Sequence, residues 1–180
     1  MIGKNFYILF NKFDKENLMP SFDVVSELQL FEVKHAVQNT EKEIATRFDF
    51  KGSDIKVELN EKDKKITITA DNELQMENVY AMLEKNMIKR GVDLQSLDPQ
   101  DNQGSGKQMK KVVNLKDGLD GDTAKKISKA LKESDLKVSA AIQGDKVRVN
   151  DKKKDTLQQA MAFLKEKQFG VPLQFNNFKD

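Results

Sequence analysis

Lys137-Val138-Ser139-Ala140-Ala141-Ile142-Gln143-Gly144-Asp145-Lys146-Val147-Arg148-Val149-Asn150 decides the fold, because it reads as two strands joined by a tight turn. Val138, Ala140, Ile142, Val147 and Val149 alternate with Lys137, Ser139, Ala141, Gln143, Lys146 and Arg148. Successive side chains of a strand point to opposite faces, so the first set shares a buried face and the second a free one. Working outward, Thr123–Lys132 carries Ala124, Ile127, Ala130 and Leu131 at helical spacing, and Asp151–Lys167 reads as a second helix. Met109–Leu115 before them and Pro172–Phe175 after them are strands, which completes the order βαββαβ.

The upstream half repeats that order. Phe22–Leu28 is β-prone, and Leu30–Thr46 places Leu30, Val33, Val37 and Ile44 near one helical stripe. Ile55–Leu59 and Ile66–Ala70 alternate as a hairpin, Glu73–Arg90 is an amphipathic helix stopped by Gly91, and Val92–Leu97 returns as a short strand. The fold class expected is therefore α+β, two tandem ferredoxin-like domains whose helices cover one face of each antiparallel sheet and leave the other open. The boundaries read as 19–98 for the first domain, 99–107 for a linker and 108–180 for the second. The linker ends in Gly104-Ser105-Gly106-Lys107, but Asp101 and Gln108 stand where a phosphate-binding loop needs Gly and Ser or Thr.

Composition narrows the function. The chain of 180 residues has no cysteine and one histidine, His35, so disulfides, thiolate zinc sites and an ordinary Ser-His-Asp triad are excluded. No catalytic residue, metal site or cofactor is expected, and a small enzyme acting on phosphate esters stands as the alternative from a different class. No apolar stretch approaches the roughly 20 residues of a membrane helix, and a soluble protein of a reducing cytoplasm fits. Net charge is +2, unevenly spread: residues 1–100 hold 14 Lys and Arg against 18 Asp and Glu, residues 101–180 hold 17 against 11. The positive charge belongs to the second half.

Lys137, Lys146 and Arg148 share the free face of the second hairpin, where small neighbours leave room for a base or sugar and cations meet phosphates. Lys125, Lys129 and Lys132 follow one another on the exposed face of the next-upstream helix, a second candidate for an anionic partner. Arg47, in Arg47-Phe48-Asp49-Phe50-Lys51, is a third, with Phe48 and Phe50 expected in the core and Asp49 or Glu43 as its ion partner. Asp122 is the expected N-cap of the helix after it. No aromatic lies on the free face of either hairpin, so the usual base-stacking mode of RNA-recognition domains is not expected.

Met19-Pro20-Ser21-Phe22-Asp23, Arg47-Phe48-Asp49-Phe50, Gln143-Gly144-Asp145 and Gln174-Phe175-Asn176-Asn177-Phe178, with Lys89-Arg90-Gly91 and Lys125-Lys126-Ile127 in order, resemble the YajQ family of bacterial nucleotide-binding proteins. The resemblance runs from Met19 to Asp180, so residues 1–18 are expected to be an extension outside the fold. It implies a non-catalytic protein of two RNA-recognition-like domains that exchange strands. It further implies binding of purine nucleotides such as GTP or ATP, of RNA such as tRNA, or of cyclic di-GMP with the liganded protein acting on a transcription regulator. Nothing in the sequence reads out the oligomeric state.

Overall fold

A computed structural model describes residues 19–179; the expected extension, 1–18, lies outside the described residues. The chain is α+β, with four α-helices and two antiparallel sheets among those residues. In order these are β1 (Ser21–Val25), α1 (Leu30–Thr46), β2 (Lys56–Asn60), β3 (Lys65–Ala70), α2 (Glu73–Lys89), β4 (Leu97–Pro99), β5 (Gln103–Ser105) and β6 (Gln108–Leu115). They continue as α3 (Gly121–Glu133), β7 (Ser139–Gln143), β8 (Lys146–Asn150), α4 (Lys154–Glu166) and β9 (Gln174–Lys179).

Two compact units form, one from residues 27–117 and one from the stretches that flank it. In the flanking unit the sheet order is β7-β8-β1-β9, the ferredoxin-like arrangement, with β1 central. Phe22 lies opposite Val149, Asp23 opposite Arg148 and Val24 opposite Val147. All five residues of β1 are buried. In the 27–117 unit the order is β2-β3-β6-β4, and β6 fills the central place that β1 would hold. The spatial division thus cuts the chain at 26–27 and 117–118, whereas the linear reading cut it at 99–107. That linear linker contains β5, which pairs with β6 through Gln103–Lys110 and Ser105–Gln108. Polar residues on an outer strand carry no apolar period, so the stretch resembles a loop.

Local chemistry explains the boundaries. Asn72 caps α2 by accepting the Gln75 N–H at 3.0 Å. At the other end Gly91 adopts φ +74°, which lets Val92 N–H reach the Met87 carbonyl and Gly91 N–H the Ile88 carbonyl. Asp120, not Asp122, caps α3, accepting the Thr123 N–H at 2.6 Å. Each unit has its own core: Val33, Val37, Ile66, Ile68, Met76, Leu83 and Val113 in one, Phe22, Val24, Ile127, Leu131, Val147 and Leu164 in the other.

Candidate functional site

On the free face of the four-stranded sheet, alternation opposite Phe22, Val24, Val147 and Val149 brings Asp23, Lys146 and Arg148 together. The Asp23 carboxylate accepts from Arg148 Nε at 2.7 Å and Nη2 at 3.0 Å, from Lys146 Nζ at 2.9 Å, and from Asn177 Nδ2 at 2.8 Å. Asn177 reaches it from β9 because a positive φ of 51° and a register shift there turn its side chain toward β1. Asp23 is 1% exposed. The Arg148 hydrogen bonds, helped by Lys146 and Asn177 and opposed by burial, hold its carboxyl well below the usual carboxylate range. Two cations against one carboxylate leave the group with one net positive charge.

Lys137 departs from the expected alternation. It has φ +53° and precedes β7, which begins at Ser139, so the strand period does not fix its direction; it is exposed. Lys125 and Lys129 sit on the outer side of α3, whose Ala124, Ile127 and Leu131 pack into the core with Phe22 and Val24. They therefore lie across the sheet from Lys146 and Arg148. Asp122 stands 3.7 Å from Lys125 and Glu133 3.7 Å from Lys129, both in solvent.

Arg47 belongs to the 27–117 unit and borders a cleft of about 460 Å³. One wall is the end of α1, with Glu41 and Ile44; the other is the outermost strand β2, with Lys56 and Glu58. Between them lie Phe50, Lys51 and Ser53. Asp49 accepts from Arg47 Nε at 2.9 Å and from Nη2, the guanidinium lies 4.6 Å from the Phe50 ring centroid, and Nη1 is 3.4 Å from Met82 Sδ. The plane of Arg47 is thereby fixed. The same hydrogen bonds hold the Asp49 carboxyl below, and the Arg47 guanidinium above, their ordinary values. Phe50 is buried as expected, but Phe48 is 82% exposed, with Lys51 Nζ 5.1 Å from its ring centroid. A 3₁₀ turn over Phe48–Phe50 sends the two rings in different directions.

The sequence reading missed Asp23, Asn177, Lys56 and Ser53. Only Asp23 carried a signal, a carboxylate set between Phe22 and Val24 in an apolar strand. Aromatic side chains in described strands are Phe22, Phe175 and Phe178: Phe22 and Phe175 belong to the core, Phe178 is 61% exposed with its ring centroid 6.2 Å from that of Phe22, and none lies on the β2–β3 or β7–β8 hairpin. Among the described residues no three His, Asp or Glu converge as metal ligands would, and no helix is long and apolar enough to cross a membrane.

Fold and site define a protein of two RNA-recognition-like units that share strands and present cations without a stacking face. The chain belongs to the YajQ-like nucleotide-binding protein family, whose model matches residues 20–179. A protein of Acinetobacter baumannii (strain AYE) is 67% identical over 162 residues, 90% of this chain and all of its own length. Relatives from Pseudomonas fluorescens (strain Pf0-1) and Thioalkalivibrio sulfidiphilus are 49% and 48% identical over the same shares. All three are named nucleotide-binding proteins.

Proposed function

We propose that the protein binds a nucleotide and releases it chemically unchanged, and that the cleft beside Arg47 holds it. The names of its relatives support nucleotide binding, and the observation that carries the site is Arg47, fixed on Phe50 and Asp49 at the edge of a cleft of about 460 Å³. That volume falls within the roughly 300–1,000 Å³ of small-molecule sites. Arg47, Lys51 and Lys56 would meet phosphate oxygens, while Glu41 and Glu58 would accept hydrogen bonds from base amino groups. Ser53 Oγ accepts from Gln75 Nε2 at 2.8 Å. GTP, ATP and cyclic di-GMP share the chemistry this cleft selects, and a transcription regulator that reads the liganded form is the downstream partner such a receptor would have.

RNA such as tRNA is the second reading, favoured by the exposed Lys125, Lys129 and Lys137 together with the net positive charge at Lys146 and Arg148. Titration calorimetry with GTP, ATP, cyclic di-GMP and tRNA separates the two. Arg47→Ala is expected to weaken nucleotide binding by about tenfold or more, since one charge-assisted contact is worth ~1.5–3 kcal/mol. Unchanged affinity in Arg47→Ala, with loss in Lys146→Ala/Arg148→Ala and a steep salt dependence, would move the site to the sheet face. Hydrolysis of any nucleotide in the panel would end the non-catalytic reading.

A further inference from the structure

Edge strands expose unpaired backbone groups, and proteins blunt them with charge, proline, bulges or shortness. Three of the described edges are blunted: β2 by Lys56 and Glu58, the β4 and β5 side by Asp98, Pro99 and short length, and β9 by the shift at Asn177. β7 is not. Ser139-Ala140-Ala141-Ile142-Gln143 has no charge and no proline, ends the sheet order, and pairs only with β8 among the described residues. Ile142 is 45% exposed although its parity places it on the helix side of the sheet.

We propose that β7 is an interface on which a second copy of this chain docks, strand against identical strand, across a two-fold axis through Ala141. Gln143 and Lys146 close a two-residue turn with Gly144 at φ +63°. The pair flanking such a turn is hydrogen-bonded, and bonded pairs alternate along the ladder. Ala140 and Ile142 therefore point their N–H and C=O groups away from β8. Antiparallel self-pairing about Ala141 sets Ala140 against Ile142 of the second copy twice, which satisfies four backbone hydrogen bonds. Ser139 then faces Gln143, and no like charges are opposed within the strand. Lys137 and Asp145 lie just beyond the two ends of β7, both exposed, so the two-fold sets the end that carries the lysine of one copy beside the end that carries the aspartate of the other. Shifting the pairing by two residues either way moves those oppositely charged ends apart. A two-fold contact of this kind is self-complementary and closed. Five residues a side bury less than the ~1,200 Å² of a standard interface, so the dimer is weak and concentration-dependent.

Sedimentation of the full chain over a wide concentration range tests it. The average mass is expected to climb from 20.5 kDa toward twice that value. Ala141→Lys places two lysines face to face on the axis and is expected to raise the dimer dissociation constant at least about tenfold while its melting temperature is held. Lys137→Asp weakens the dimer, and Lys137→Asp/Asp145→Lys restores it, a rescue that a general surface effect would not produce. A monomer at every concentration overturns the proposal, as does a dimer indifferent to Ala141→Lys. A monomer whose Ala140 and Ile142 amides resist hydrogen exchange also overturns it.

Discussion

Replacing Asp23 by Asn removes the charge at the centre of the free face while keeping its shape. The carboxylate accepts four hydrogen bonds from Arg148, Lys146 and Asn177 and is 1% exposed. Removing one member of a fully buried ion pair costs ~3–5 kcal/mol. Here Arg148 and Lys146 keep 29% and 34% of their side-chain surface in solvent and regain water when released, which scales the loss to about 2 kcal/mol. That corresponds to a melting temperature lower by roughly 4–8 °C for a chain of this length. The loss has a pH signature. Asp23 titrates lower in the folded state than in the unfolded one, so between the two values the unfolded chain binds more protons, and stability falls as pH falls. The stabilisation is complete above the unfolded value, near 4, and is lost below it. Scanning calorimetry of wild type and Asp23→Asn should show a constant gap from about pH 5 to 8 that closes in acid. A variant melting within about 1 °C of wild type at pH 7, or a gap that persists in acid, refutes the reasoning. Freed of Asp23, Arg148 and Lys146 also present an extra positive charge, so tRNA affinity rises in this variant if that face binds RNA.

Residues 27–117 expressed alone should melt cooperatively, whereas 19–101 lacks β6 and 102–180 lacks β1, so each of those is expected to aggregate unless co-expressed. Asn86→Ala should cost about 1–3 kcal/mol in urea unfolding, because its buried amide donates to Thr40 Oγ1 and the Met82 carbonyl, both at 3.1 Å. Lys125→Ala/Lys129→Ala should leave stability within about 0.5 kcal/mol, since both pairs are solvent-exposed, and any fall in tRNA affinity then reports contact rather than unfolding.

What was legible in the sequence is what is local. Alternation through Val138–Ile142 and Val147–Val149 gave the faces of β7 and β8, and the stripes of α1 to α3 gave those helices. Alternation does not say which sheet a strand joins: Phe22 and Val24 would present the same apolar face to either core, so the exchange of β1 and β6 has no periodic trace and entered only through the resemblance. Asp49 was within reach as a partner of Arg47, beside the alternative Glu43, because a single residue lies between them. Asp23 lies 123 and 125 residues from its cations, and no window spans that. Positive φ at Lys137 and Asn177 breaks the period without help from glycine, displacing one expected ligand from its face and delivering an unexpected amide to it. The consequence bears on function: the cations that looked freest in sequence, Lys146 and Arg148, are half committed to Asp23. Arg47 also has its carboxylate, but a neighbour in a solvent-exposed turn is one that a phosphate can displace, whereas a carboxylate 1% exposed is not.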